Sequence, residues 1–264
     1  RCGQRAMSAG PRPSGALRFA RYAYPPNELG FCGPDAAGQI LEQVAAGADD
    51  PDLRGLLHRF EGAWPYLELI AGCAGIDDPL DDRVVEAYWL GNDLLDGVGI
   101  TDFGRSLTDR FRPRAGAGWS ALAEAIPAGA VPHHSTHVLA VYPWVGLLRA
   151  GRTVEPLHVL DRCRIRWGRV ESVLGDEVLV TSQPLAWDGR ALYLGARRVE
   201  VVRAGTAGVR LVTDLGPGDW CALHWDWVCE RLDARRLAAL QHWSAGTLAL
   251  VNATAHPAPA AVLS

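Results

Sequence analysis

The sequence contains no lysine: all 26 basic residues among its 264 are arginine. That excludes Schiff-base lysines, a P-loop lysine and a Ser–Lys dyad. Methionine is nearly absent too, with Met7 alone. No apolar run approaches the ~18 to 20 residues of a membrane span. The longest, VLAVYPWVGLL over 138–148, is interrupted by Pro143. The N-terminal stretch RCGQRAMSAGPRPSGALR carries charge but no apolar signal core. A strong field of either sign is also missing, since the net charge is only −4. A nucleic-acid backbone binder is therefore not expected. No CxxC pair occurs among Cys2, Cys32, Cys73, Cys163, Cys221 and Cys229. Such wide spacing does not suggest a disulfide framework. These absences together lead us to expect a cytoplasmic chain with reduced thiols and no membrane span.

What is present is turns and aromatics. There are 29 Gly and 17 Pro, yet 48% of residues are hydrophobic and ten are Trp, so a packed core is expected. Residues 1–17 read as a loose segment. Residues 18–151 read as an all-α domain. Asp35 is placed to cap AAGQILEQVAAGA. DLRGLLHRFEGAWPYLELIAGCAG (52–75) repeats apolar residues at helical spacing, with a break near Pro65. DDRVVEAYWLGNDLLDGV, TDFGRSLTDRF, GWSALAEAI and HSTHVLAVYPWVGLLRAG continue the pattern, the last kinked or ended near Pro143. After residue 151 the pattern changes to short β-branched runs with turn signals. Asp188-Gly189, between LAW and ALY, signals a hairpin. Residues 152–252 read as a small rolled sheet or barrel followed by a helix over 230–252, and 253–264 as a loose tail. The fold class expected is α+β.

Three constellations carry candidate chemistry. The first is Cys163, expected to open the first strand, and His224 in PGDWCALHWDWVCERLD (217–233). A thiolate and a neutral imidazole suit a soft or borderline metal, and two ligands hold it loosely enough for transfer. Both residues also suit ordinary packing, as a small core cysteine and a histidine among tryptophans. The second is VPHHSTHVLAVYPW (131–144). On a helix, His133 and His137 (i, i+4) or His134 and His137 (i, i+3) face one side and could share a metal. A remaining ligand could come from Glu28, Cys32, Cys73 or His58. The same residues serve equally as a helix start capped by Ser135 or Thr136. The third is RYAYPPNELGFCGPD (21–35), read as a tight loop before a helix N-terminus. Its Cys32 could be activated there, or its polar groups could simply satisfy local backbone. Trp220, Trp225 and Trp227 alternate around His224 and offer either core packing or a docking face. Trp167, Trp225 and Trp227 are the candidate partner-binding residues.

The stretch from Cys163 to about Leu250 resembles the HypC/HupF family of [NiFe]-hydrogenase maturation chaperones. Cys163-Arg164-Ile165-Arg166-Trp167-Gly168-Arg169-Val170 stands where that family has C-L-A-I-P-G-x-V. Pro217-Gly218-Asp219 with His224, then Glu230-Arg231-Leu232-Asp233, stands where the family closes its barrel and enters its last helix. The resemblance implies an OB-like barrel with a C-terminal helix. It also implies that Cys163 and His224 carry an Fe(CN)2CO unit, or its precursor, to the hydrogenase large-subunit precursor. A HypD-like iron–sulfur protein is the next implied partner. Here the cysteine is internal, follows a helical domain, and has Trp167 where the family has proline. The helical half is similar to uncharacterised hydrogenase-associated proteins. An accessory protein of this kind needs no catalysis of its own. Two other readings stand beside it: a metal-dependent enzyme built around His133, His134 and His137, and a metal-free scaffold that docks a hydrogenase subunit.

Overall fold

The computed structural model describes residues 14–115, 127–142 and 144–254. Helix α1 (Gly15–Glu28) is capped by Ser14, whose hydroxyl accepts from the Leu17 amide at 3.2 Å. It is buried along nearly its whole length and continues through Pro25 and Pro26. The loop expected over 21–35 is thus confined to its second half. The next helix, α2 (Ala37–Ala46), starts after Ala36 with no side-chain cap, so Asp35 does not serve there. The 52–75 run divides into α3 (Pro51–His58) and α4 (Trp64–Ala74). The break falls over residues 59–63 rather than at Pro65, because Pro65 sits in the first turn of α4, where a missing N–H costs nothing. Helices α5 (Asp82–Trp89) and α6 (Ile100–Ala115) follow, joined by a 3-10 turn. GWSALAEAI and Pro143 lie outside the described residues.

The run from His134 is not one helix. A turn His134–Thr136 passes into a π-helix His137–Val141, and the chain restarts as α7 (Trp144–Arg149). One further helix, α8 (Val154–Cys163), precedes the sheet, so Cys163 ends a helix instead of opening a strand. Helix α9 (Ala234–Ala253) is the C-terminal helix. It begins later than expected, because 230–232 complete the last strand.

Among the described residues, nine strands run from β1 (Arg166–Leu174) through β2 (Glu177–Ser182), β5 (Arg198–Arg203) and β8 (Trp220–His224) to β9 (Trp227–Leu232). These five close as a barrel in the order β1-β2-β5-β9-β8. All neighbours are antiparallel except β5 and β9, which meet at Arg203 and Trp227. The hairpin at Asp188-Gly189 is present as β3 (Leu185–Trp187) against β4 (Leu192–Leu194).

One hydrophobic core runs from Phe19 and Trp89 of the helices to Leu223 and Val228 of the barrel. A buried ionic network fastens the same boundary. Arg18 of α1 pairs with Asp82 at 2.6 Å and with Glu230 of β9 at 3.3 Å. Arg235 and Arg236 of α9 donate to Glu86 of α5 at 2.7 to 2.9 Å. Burial alone would raise Glu86; the hydrogen bonds from Arg236 and Arg235 overcome that and hold it below the usual range. The two halves are therefore packed against each other, and α1 lies directly on β8 and β9.

Candidate metal centre

The boundary between helices and barrel encloses a cavity of about 410 Å³. Cys163, His134 and His224 all line it, and one ligand atom from each lies within 4.8 Å of the other two. Three separate segments supply them: the turn that leads into the π-helix, the end of α8, and the end of β8.

Each position has a local cause. A helix leaves its last carbonyls without intrahelical partners. At the end of α8 those acceptors are used by the site: His134 Nε2 donates to the Cys163 carbonyl at 2.8 Å, and the Trp225 amide donates to the Arg162 carbonyl at 2.7 Å. Because His134 Nε2 carries the proton, Nδ1 holds the lone pair and accepts from the Tyr88 hydroxyl at 3.2 Å. His224 is oriented by the prolines of α1. Pro26 has no N–H, so the Tyr22 carbonyl one turn earlier lacks its helical donor. His224 Nδ1 donates to that carbonyl at 2.6 Å. The lone pair of His224 then sits on Nε2, which is buried and has no hydrogen-bond partner. An imidazole held by a carbonyl on one nitrogen and bare on the other is the arrangement found in metal-ligating histidines.

The site is electrostatically quiet. Burial lowers His134 to about 4 and drives His224 well below its ordinary value, with the neighbouring His134 adding to the second shift. Both rings are neutral at pH 7, which is the ligating form. Burial pushes the Cys163 thiol well above its ordinary range, and the nearby Cys32 thiol adds to this. Ligands of one tetrahedral Zn²⁺ would stand about 3.3 to 3.6 Å apart. Closing the observed triad around a cation thus takes a contraction on the order of 1 Å, and the His134 nitrogen that turns to the metal gives up its present partner, the Tyr88 hydroxyl on Nδ1 or the Cys163 carbonyl on Nε2.

The other candidate residues are placed elsewhere or differently. His133 is fully buried but turns back on its own chain, its Nδ1 accepting from the Ser135 amide at 3.1 Å. It does not share a face with His137, because residue 133 is extended and the helix widens to a π-turn at 137. His137 lines the cavity and meets the Tyr66 hydroxyl through Nδ1 at 3.0 Å, outside the triad. Glu28 accepts from Tyr24, His58 packs on Trp64, and Cys73 is exposed in another groove. Cys32 lines the cavity, but burial raises its thiol to about 12, so it is not activated. Its loop is held by Asn27, which donates to the Cys32 and Pro34 carbonyls at 2.7 and 2.6 Å.

Trp225 and Trp227 are only 4% and 2% exposed, so neither ring forms an open docking face. Trp227 packs edge-on to Tyr24, while Trp225 lines the cavity and stacks on Phe31 at 4.3 Å. Trp225 also holds the left-handed conformation, φ 53°, that a bulky residue adopts only when its surroundings enforce it. The enforcing contacts are its bond to Arg162 and the donation from buried Arg166 to its carbonyl at 2.6 Å. Trp167 is half-buried and lines a separate groove on the barrel with Trp220 and Arg169.

Sequence reasoning missed that His134 joins Cys163 and His224. It also missed the cavity residues Tyr88 and Trp89. The Pro25-Pro26 pair inside an apolar-periodic run was the available signal, since it implied freed carbonyls in a buried helix. All cysteines among the described residues are free thiols, and no helix among them is long and apolar enough to cross a membrane. No curated protein and no solved structure matches the chain. A family model matches over residues 11–258, nearly the whole length, and the chain belongs to that family of unknown function, DUF6390.

Proposed function

We propose that this protein holds a soft metal unit at Cys163 and His224, with His134 as a third donor, and hands it on without turning it over. The observation that carries the reading is the convergence of His134, Cys163 and His224 within 4.8 Å at the wall of one cavity. One thiolate and two neutral imidazoles form a donor set for a soft or borderline metal, and no carboxylate belongs to the group. The Nε2 of His224 is buried without a hydrogen-bond partner.

By the resemblance of 163–250 to the HypC/HupF chaperones, the cargo is an Fe(CN)2CO unit or its precursor. The recipient is then a [NiFe]-hydrogenase large-subunit precursor, and a HypD-like iron–sulfur protein a source. On this reading the barrel is OB-like and the protein works in the cytoplasm. A low-spin iron with cyanide and carbonyl ligands favours thiolate, and the cavity is large enough to enclose more than a bare ion. The cysteine is internal and half-buried on the cavity wall, so the hand-over runs through the cavity rather than by inserting a free terminus. Trp167, on its own groove, is the partner-facing candidate that remains.

The test is anaerobic purification from a host that assembles [NiFe]-hydrogenases, followed by infrared spectroscopy in the cyanide and carbonyl stretching region. Bands in the wild type that vanish in Cys163→Ala support carriage. Their absence from both proteins overturns it.

A further inference from the structure

Strand β5 has a neighbour along one side only. There β2 pairs with it over its whole length, from Arg198 opposite Ser182 to Arg203 opposite Glu177. On the other side β9 meets it at a single position, where Arg203 pairs with Trp227. The Arg203 amide donates to the Asp226 carbonyl at 2.8 Å, so the backbone groups of Arg203 face away from β2. In an antiparallel pair that direction alternates from residue to residue. The N–H and C=O of Val201 and Val199 therefore also face away from β2, toward an edge that no strand among the described residues covers.

The side chains follow the same period. Glu200 turns into the barrel, where it accepts from Arg162, Arg166 and Ser182, and Val202 is buried. Val199 and Val201 are 60% and 56% exposed, with Arg197 and Arg203 exposed on either side of them. Arg198 pairs with Asp161 at 3.8 Å, but neither Arg197 nor Arg203 forms an ion pair among the described residues. Arg197 also lines the groove of Trp167.

An uncovered edge with two exposed β-branched residues is a template for another strand. Charge decides which strand. Only one two-fold register of two copies sets both valines against valines, the one centred on Glu200. It also sets Arg197 opposite Arg203 at each end, and like charges directly opposite destabilise a strand pair. Within this sequence, the stretches 1–13, 116–126 and 255–264 hold a single acidic residue, Glu124, so none of them supplies two carboxylates. We infer that β5 takes an extended acidic segment of another protein as an added strand. Main-chain bonds reach Val199 and Val201, apolar side chains at alternate positions cover the two valines, and a carboxylate beyond each end meets Arg197 and Arg203. The inference does not depend on the metal site.

The experiment uses the full chain and the peptide acetyl-SETVTVTES-amide, read by amide hydrogen exchange in NMR. In the free protein the Val199 and Val201 amides should exchange fast, while those of Glu200 and Val202, bonded to β2, are protected. Saturating peptide should slow Val199 and Val201 by about tenfold or more. Exchanging both peptide glutamates for lysine should weaken binding by about tenfold or more. Val201→Pro removes an N–H at the edge and no bond to β2, so it should fold and bind about tenfold more weakly. Arg197→Glu, at an exposed position, should shift the preference toward the lysine peptide. Protection of Val199 and Val201 in the free chain overturns the inference, as does a peptide that leaves their exchange unchanged. Equal binding of the two peptides overturns it as well. A dimer in sedimentation that Val201→Pro dissociates would give the edge to a second copy and overturn it too.

Discussion

Metal binding by this site should be linked to one proton, over a pH range that ordinary ligands would not give. The perturbation is pH itself, from 5.5 to 9. Before the metal enters, His134 titrates at about 4 and His224 well below 6.5, so neither imidazole has a proton to lose above pH 5.5. Cys163 lies well above the ordinary thiol range, so it keeps its proton throughout. Binding then expels one proton, and log K rises by one per pH unit across the whole range. That amounts to about 3,000-fold over 3.5 units, or about 5 kcal/mol at 1.36 kcal/mol per unit. Unperturbed groups would behave otherwise. With histidines near 6.5 and a thiol near 8.5, the slope would approach three below pH 6.5 and vanish above 8.5. The assay is competition for Zn(II) against a chelator of known affinity, with calorimetry in buffers of different ionisation enthalpy to count the proton. Cys163→Ser should flatten the slope. A wild-type slope that vanishes by pH 8.5, or exceeds two below pH 6.5, would refute the assignment of two neutral histidines and one protonated thiol.

The same buried histidines set the acid limit of the fold. Burial lowers His133 to about 3 and His134 to about 4, so in acid the unfolded chain binds protons that the folded chain refuses. Stability is full above pH 6.5 and declines as pH falls, by roughly 2 kcal/mol for each such group at pH 5. Urea midpoints at pH 7 and pH 5 check this, and an unchanged midpoint would contradict it. Glu200, held to about 2 in spite of its burial by Arg166, Ser182 and Arg162, adds its loss only below about pH 4.5. Gly91→Ala should cost about 2 kcal/mol or more, because φ is +87° and a Cβ there would stand 2.0 Å from Cδ1 of Trp243. The control is Gly55→Ala inside α3, where a Cβ meets nothing within 4 Å, expected to stabilise by up to about 1 kcal/mol. His134→Ala should weaken Zn(II) binding by about 100-fold or more, beyond what loss of an outer-shell partner brings; chelator competition that finds wild-type affinity would remove His134 from the ligand set.

The division into a helical half and a strand-rich half was legible because the hydrophobic period changes near residue 151 and because Asp188-Gly189 demands a tight hairpin. The boundaries were less legible. Cys163 read as the start of a strand because β-branched and aromatic residues follow it closely, yet Val154–Cys163 has its own apolar spacing and ends as a helix. The run from His134 read as a plain helix since nothing local distinguishes a π-turn from an α-turn; the wider turn is what separates His137 from the site. Cys163 and His224 were visible as types that bind metal. His134 was not separable from His133 and His137, because the choice among three adjacent imidazoles depends on where the end of α8 docks. That is a tertiary fact, carried by the 2.8 Å bond to the Cys163 carbonyl.

The prolines of α1 connect local sequence to the chemistry of the site most directly. A proline in a helix interior normally destabilises by ~3 kcal/mol or more, through a lost hydrogen bond and a steric clash. Here the carbonyl it liberates, at Tyr22, is the acceptor that fixes the His224 ring. Pro26→Ala would restore an amide that competes for this oxygen. If the carbonyl is retained for His224, the variant should be as stable as the wild type or more so, and yet bind Zn(II) about tenfold more weakly, at the lower end of an outer-shell defect. The two readouts move in opposite directions, which general damage to the fold would not produce. Equal affinity in Pro26→Ala would mean that the Tyr22 oxygen serves both donors without loss, and that the paired prolines shape α1 for packing alone.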